Sequence, residues 1–186
     1  MTATVLQEMT IVAGMSTFHV RVNTGFSDRS MKVTITLDGR MEWTSDQAAW
    51  RPLASGCGSG IPYLWSARAL IVLPTQLRAN LEVLEVDEDL LLVFRVGASW
   101  LLVCETCVRL LAGQDETSRV EFGDVVEQAI WDGNNLVVQD ARGITKRIEV
   151  KGGSLICQVL CHGPRRSSQR PGHVQASVQQ ICKLAY

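Results

Sequence analysis

Met31-Lys32-Val33-Thr34-Ile35-Thr36-Leu37-Asp38-Gly39-Arg40-Met41-Glu42-Trp43 carries the clearest strand-and-turn pattern in the chain. Met31, Val33, Ile35 and Leu37 alternate with Lys32, Thr34 and Thr36. A period of two puts one set on a dry face and the other in water, as in a half-buried strand. Asp38-Gly39 ends the run, and Gly accepts the positive φ that a type I′ turn requires. The alternation then resumes at Met41-Glu42-Trp43, so the segment reads as a β-hairpin. Upstream, Phe18, Val20 and Val22 alternate with His19 and Arg21 in the same way.

Downstream, from Leu81 to Val150, short apolar segments are separated by turn residues. Strands are expected at 81–86, 90–96, 100–111 (as one bent strand), 119–122, 125–131, 136–139 and 145–150. The breaks include Asp87-Glu88-Asp89, Gly97-Ala98-Ser99, Gly123-Asp124 and Asp132-Gly133-Asn134. Turns this closely spaced indicate antiparallel structure with tight connections. Leu70–Leu73, ended by Pro74, suits a strand buried on both faces. Residues 45–63, with Pro52, Gly56-Cys57-Gly58-Ser59-Gly60 and Pro62, read as irregular, with a short helical turn at Asp46–Trp50. That stretch is the expected seam inside a single β-rich domain over 1–153.

Residues 154–186 are expected to hold a last strand at Leu155–Leu160, a basic linker over 163–172, and a C-terminal helix. The helix rests on Val174, Val178, Ile181 and Ala185, which share one helical face. The layout of Val86–Val93 is echoed by Trp131–Val138 about 45 residues later, an offset typical of β-propeller blades. Only two such units fit, and a propeller needs about four blades to close. The expected fold is therefore mainly β, an antiparallel sandwich or strongly bent meander sheet, with a short C-terminal helix.

The chain has 186 residues, 46% hydrophobic and 20% charged, with a formal net charge of −1. That balance excludes a disordered chain, and the length suffices for a core without disulfide staples. Met1–Ala13 lacks a positive n-region and a sustained apolar h-region, and no apolar run approaches the roughly 20 residues needed to span a bilayer. The expectation is a soluble cytoplasmic protein whose cysteines stay reduced. The near-zero charge conceals an asymmetry. Residues 1–80 carry a net +2, residues 81–150 a net −8, and residues 151–186 a net +5. An acidic β-region suits electrostatic docking of a basic protein. Three arginines in the linker, without interleaved aromatics, give no nucleic-acid signature.

Motifs that could carry chemistry are few. Cys104-Glu105-Thr106-Cys107 is a CxxC, but on one continuous strand residues three apart face opposite ways, so its sulfurs should diverge. No helix is expected after it, as a thioredoxin-like site would need. Cys157, Cys161, His162, His173 and Cys182 form the one cluster of soft ligands toward the C-terminus, and they are the candidates for a zinc site. Gly56–Gly60 matches neither a Walker nor a dinucleotide-binding loop and reads as a flexible connection. Glu85, Asp87 and Asp89 read as turn-flanking charges. No catalytic or cofactor-binding residue stands out. Two function classes follow: a non-enzymatic binding protein using an acidic β-face, with a toxin-neutralising, immunity-like role as one version; and a small metal-binding regulator or enzyme built on the C-terminal Cys/His cluster.

Overall fold

A computed structural model describes residues 5–24, 31–39, 41–47, 53–74, 81–132 and 134–161. The expected C-terminal helix lies outside the described residues. Four antiparallel sheets of four strands each follow one another along the chain. The first contains β1 (Val5–Ala13), β2 (Ser16–Thr24), β3 (Met31–Leu37) and β4 (Met41–Gln47). The second contains β5 (Ala54–Gly58), β6 (Ile61–Trp65), β7 (Ala69–Val72) and β8 (Glu82–Glu85). The third contains β9 (Leu90–Val96), β10 (Ser99–Cys104), β11 (Cys107–Ala112) and β12 (Asp115–Glu121). The fourth contains β13 (Val126–Trp131), β14 (Asn135–Asp140), β15 (Thr145–Lys151) and β16 (Ser154–Cys161). Each sheet is a simple meander, with strands paired in chain order. No helix is present among the described residues, and none is long and apolar enough to cross a membrane.

The Met31–Trp43 hairpin forms as read. Val33 and Ile35 pair with Ser45 and Trp43, and both Asp38 and Gly39 adopt positive φ (48° and 67°). The Asp38 carboxylate accepts a 2.8 Å hydrogen bond from the Thr17 N–H, while the Asp38 N–H donates to the Thr17 carbonyl. The turn is thereby tied to the neighbouring strand.

The sheets stack face to face in chain order. Phe18, Val20, Val33 and Ile35 of the first meet Leu64 and Ile71 of the second. The other face of the second, with Tyr63, Trp65, Leu70 and Leu84, packs on Trp100, Leu102, Cys104 and Cys107 of the third. The far face of the third, with Leu101, Val103, Val108 and Leu110, packs on Leu136, Val138 and Ile148 of the fourth. Sheets of four meandering strands packed this way are the building plan of propeller blades. The count of units expected from the sequence is corrected here: four such units fit, not two. The 45-residue echo is also not the repeat, because Val86–Val93 spans the connection between two sheets whereas Trp131–Val138 spans a hairpin within one. The last three sheets begin at Ala54, Leu90 and Val126, 36 residues apart.

The inner strands of the second and third sheets, β6, β7, β10 and β11, are covered on both faces, which explains their sequence pattern. Residues 100–104 and 107–111 are all buried, so inward and outward positions are equally apolar. The first sheet keeps one wet face, and there the alternation is clean. Tyr63 anchors the second sheet to the third: its hydroxyl donates to the Val93 carbonyl at 3.0 Å, and its ring meets that of Trp100 edge-on at 5.0 Å. The stretch Gly56–Gly60, expected to be a flexible connection, is instead the β5–β6 hairpin, with Ser59 and Gly60 at positive φ supplying its turn.

Glycine at 58 is required by packing rather than by φ. A Cβ there would lie 2.3 Å from the Cβ of Arg95, because β5 and β9 run close together at the junction of the second and third sheets. Gly58→Ala is therefore expected to cost about 1–3 kcal/mol through overpacking. Gly113→Ala meets nothing within 4 Å but holds a positive φ of 63°, and is expected to cost about 1 kcal/mol. Urea denaturation of the two variants ranks them; a Gly58→Ala chain as stable as wild type would contradict the close approach.

Candidate functional site

The connections at one end of the second, third and fourth sheets are laced together through their backbones. The Leu90 N–H donates to Ala67 O at 2.6 Å and the Val86 N–H to Arg68 O at 2.9 Å. Glu105 N–H donates to Asp89 O (2.9 Å), Phe122 N–H to Thr106 O (2.8 Å), Val126 N–H to Glu105 O (2.8 Å) and Ala141 N–H to Val125 O (2.8 Å). The Asp140 carboxylate, 1% exposed, accepts from the N–H groups of Arg142 and Ile144 and so closes the turn after β14. Backbone groups in these connections thus find protein partners instead of water.

At the centre of this end stands Cys104-Glu105-Thr106-Cys107. The expected single strand over 100–111 is two strands, with Glu105-Thr106 as the turn between them, and Val103 pairs with Val108. In an antiparallel hairpin, residues that face each other across the turn share a side. Cys104 and Cys107 consequently both point toward the second sheet, both 0% exposed. The expected divergence of the sulfurs is corrected: they converge. Outside them, Glu105 faces solvent.

Glu88, from the β8–β9 connection, completes the group. A sulfur of each cysteine and one Glu88 oxygen lie within 4.8 Å of one another. The Glu88 carboxylate accepts from the Thr106 hydroxyl at 2.8 Å, from Arg109 Nη2 at 2.9 Å and from Arg119 Nη2 at 2.7 Å, and Cys107 Sγ lies 3.5 Å from both its oxygens. Arg109 is itself buried. Its Nε donates to Cys107 Sγ at 3.4 Å, and its Nη2 also meets Asp87 Oδ1 at 2.6 Å. Arg119 further pairs with Glu121.

These contacts set the ionisation of the group. Burial opposes the Glu88 carboxylate, but the Thr106 hydroxyl, Arg109 and Cys107 outweigh it and hold its pKa at about 2. The Cys107 thiol is pulled down, first by its hydrogen bond with Cys104 and then, against burial, by Arg109. The same hydrogen bond, with burial, pushes Cys104 up. Burial works against the Arg109 guanidinium, yet its bonds to Cys107, Glu88 and Asp87 raise its pKa and keep it charged.

Of the zinc candidates named from the sequence, two are described and neither joins this group. Cys157 is exposed on β16 and Cys161 ends that strand, while His162, His173 and Cys182 lie outside the described residues. Asp87 and Asp89, read as turn-flanking charges, pair with Arg109 and Arg68. Glu88, Arg109 and Arg119 were not distinguishable in the sequence. The signal that pointed to the hairpin was length: twelve residues is long for a strand, whose usual size is about 5–6, and Glu105-Thr106 is the polar interruption at its middle.

No protein-family profile matches the chain, and no curated protein is detectably similar to it in sequence. Several solved structures resemble it, and two illustrate the likeness. One is HIRA(644-1017), at a TM-score of 0.45 and 12% identity, covering 84% of this chain and 54% of that one. The other is the AfRom2 CNH domain, at a TM-score of 0.49 and 10% identity, covering 86% of this chain and 56% of that one. The chain spans about half the length of each.

The Glu88 contacts have a pH signature. Its pKa in the folded chain lies below the ordinary value of 4.5, so its stabilisation is fully present above that pH and is lost as pH falls toward 2. The loss is expected to be about 2–3 kcal/mol. In urea denaturation with a chelator present, Glu88→Gln should be less stable than wild type at pH 7 and should show a flatter decline below pH 5. Equal acid slopes in the two chains would rule out the assigned role of the carboxylate.

Proposed function

We propose that this chain is a non-enzymatic interaction module that docks a basic protein surface on the connection end of its second, third and fourth sheets. The lacing of that end by inter-connection backbone hydrogen bonds carries the reading. A surface already ordered by its own hydrogen bonds gives up little conformational freedom on binding, which is the main cost that preorganisation removes. Glu85, Asp87, Glu105, Glu121 and Glu127 are exposed there, against exposed Arg68, Arg119 and Arg142. An acid-rich surface of this kind steers a basic partner and raises its association rate. Neutralisation of a basic protein toxin is one form such docking takes. The bland alternative is that these acids only keep the strand ends solvated and block edge pairing.

Charge reversal at Glu85, Glu105 and Glu127 separates the two, because none of these is bonded into the buried Glu88–Arg109 group. A partner retained by wild-type protein in native-host lysate at low salt should be bound at least about ten-fold more weakly by the triple Lys variant, and the wild-type affinity should fall as salt rises. A retained partner with the same affinity for both chains, at low and high salt alike, would defeat the proposal.

A further inference from the structure

We infer that Cys104, Cys107 and Glu88 form a metal site that takes one zinc ion. The three ligand atoms arrive from the β8–β9 connection and from the two strand ends that flank the β10–β11 turn, and lie within 4.8 Å of one another. Zn–S bonds of about 2.3 Å and Zn–O bonds of about 2.0–2.2 Å in tetrahedral geometry hold ligand atoms about 3.6–3.8 Å apart; Cys107 Sγ already lies 3.5 Å from both Glu88 oxygens, and small side-chain adjustments bring the full set to that spacing. Two thiolates select a soft or borderline cation over calcium or magnesium, and a carboxylate as the third ligand favours zinc over a purely thiophilic ion.

The surroundings fit the ion as well as the ligands do. Thr106 and Arg119 hold the Glu88 carboxylate in place, and the Arg109 Nε–H is directed at Cys107 Sγ. Such outer partners orient ligands and offset their charge. The charge balance is closed. Binding replaces two thiol protons with one doubly charged cation and releases both protons to solvent, so the net charge of the group is unchanged. Arg109 and Arg119 then face the same total charge with the ion as without it. Both cysteines are fully buried, which suits a site loaded as the chain folds. Three protein ligands leave the fourth tetrahedral position to water.

The test uses the full chain, purified under reducing conditions without added metal. Elemental analysis should find about one zinc per chain, and Cys104→Ser/Cys107→Ser should lose it while Cys157→Ser/Cys182→Ser keeps it. Titrating chelated wild-type protein with Co²⁺ alone should produce intense tetrahedral d–d bands and a thiolate-to-cobalt charge-transfer band. If the double serine variant does not fold, Glu88→Gln replaces it, with an expected zinc affinity at least about ten-fold weaker. Metal-free protein whose thiols are reduced and whose spectrum does not respond to Co²⁺ would overturn the inference. So would a zinc ion retained in full by the Cys104/Cys107 variant, which would assign the metal to the cysteines and histidines toward the C-terminus.

Discussion

The inner strands of the second and third sheets, β6, β7, β10 and β11, have no face to give to water, and the rest of the architecture follows from that burial. Leu64 and Tyr63 are neighbours on one strand yet enter different cores, and Leu101 and Leu102 do the same on the next sheet. With both faces committed to apolar packing, a polar side chain in mid-strand has few places to go. Most charged groups accordingly lie at exposed edges, strand ends and connections. Arg109 is the exception that shows the rule. It sits in the middle of β11, 8% exposed, and it is surrounded by Glu88, Asp87 and the Cys107 sulfur.

A guanidinium suits that position better than an ammonium. Its donors leave in a planar fork, so one side chain meets the carboxylates of Asp87, Glu88 and Glu116 and a sulfur at once, and it is less strongly hydrated when removed from water. Glu88 plays the matching part, receiving both Arg109 and Arg119 while a hydroxyl fixes its other oxygen. Breaking a buried pair of this kind leaves a charge without compensation, which is why the cost of losing one partner exceeds the net worth of the pair. The network also holds two connections together. Glu88 lies between β8 and β9, and its partners Thr106, Arg109 and Arg119 belong to β10–β12.

How much of this was legible in the sequence depended on how many faces of a strand are wet. The first sheet has one dry and one wet face, so Val33, Ile35 and Leu37 announced their strand and Asp38-Gly39 its turn. The inner strands of the third sheet have two dry faces, and there the period of two vanishes: Trp100–Leu111 reads as one apolar run because the Glu105-Thr106 turn carries neither Gly, Pro nor Asn. That ambiguity alone reversed the geometry of the CxxC, since the same two cysteines diverge on a strand and converge across a hairpin. The β5–β6 hairpin was hidden for the opposite reason: its strand is so rich in glycine that it resembled a loop, although Gly58 is dictated by the approach of Arg95. Glu88 was out of reach of any local pattern, because its partners stand 18 to 31 residues away.

The acidic surface and the buried thiols occupy the same end of the molecule for a single structural reason. The connections escape the double-sided burial of the inner strands, so there a residue can face solvent on one side and a polar interior on the other. The four residues Cys104 to Cys107 display both. Glu105 faces outward, and its N–H and carbonyl bond the adjacent connections. Thr106, half-buried, holds Glu88. The two cysteines point in, under the second sheet. A change in the outward charge of Glu105 need not disturb the thiols, because its side chain takes no part in the Glu88–Arg109 contacts. A change in its backbone would, since the same hydrogen bonds that tie the connections together also aim the two sulfurs at one point. The outward charge and the buried thiol group are thus separable by side chain and joined by main chain, so charge variants can alter the one while leaving the other in place.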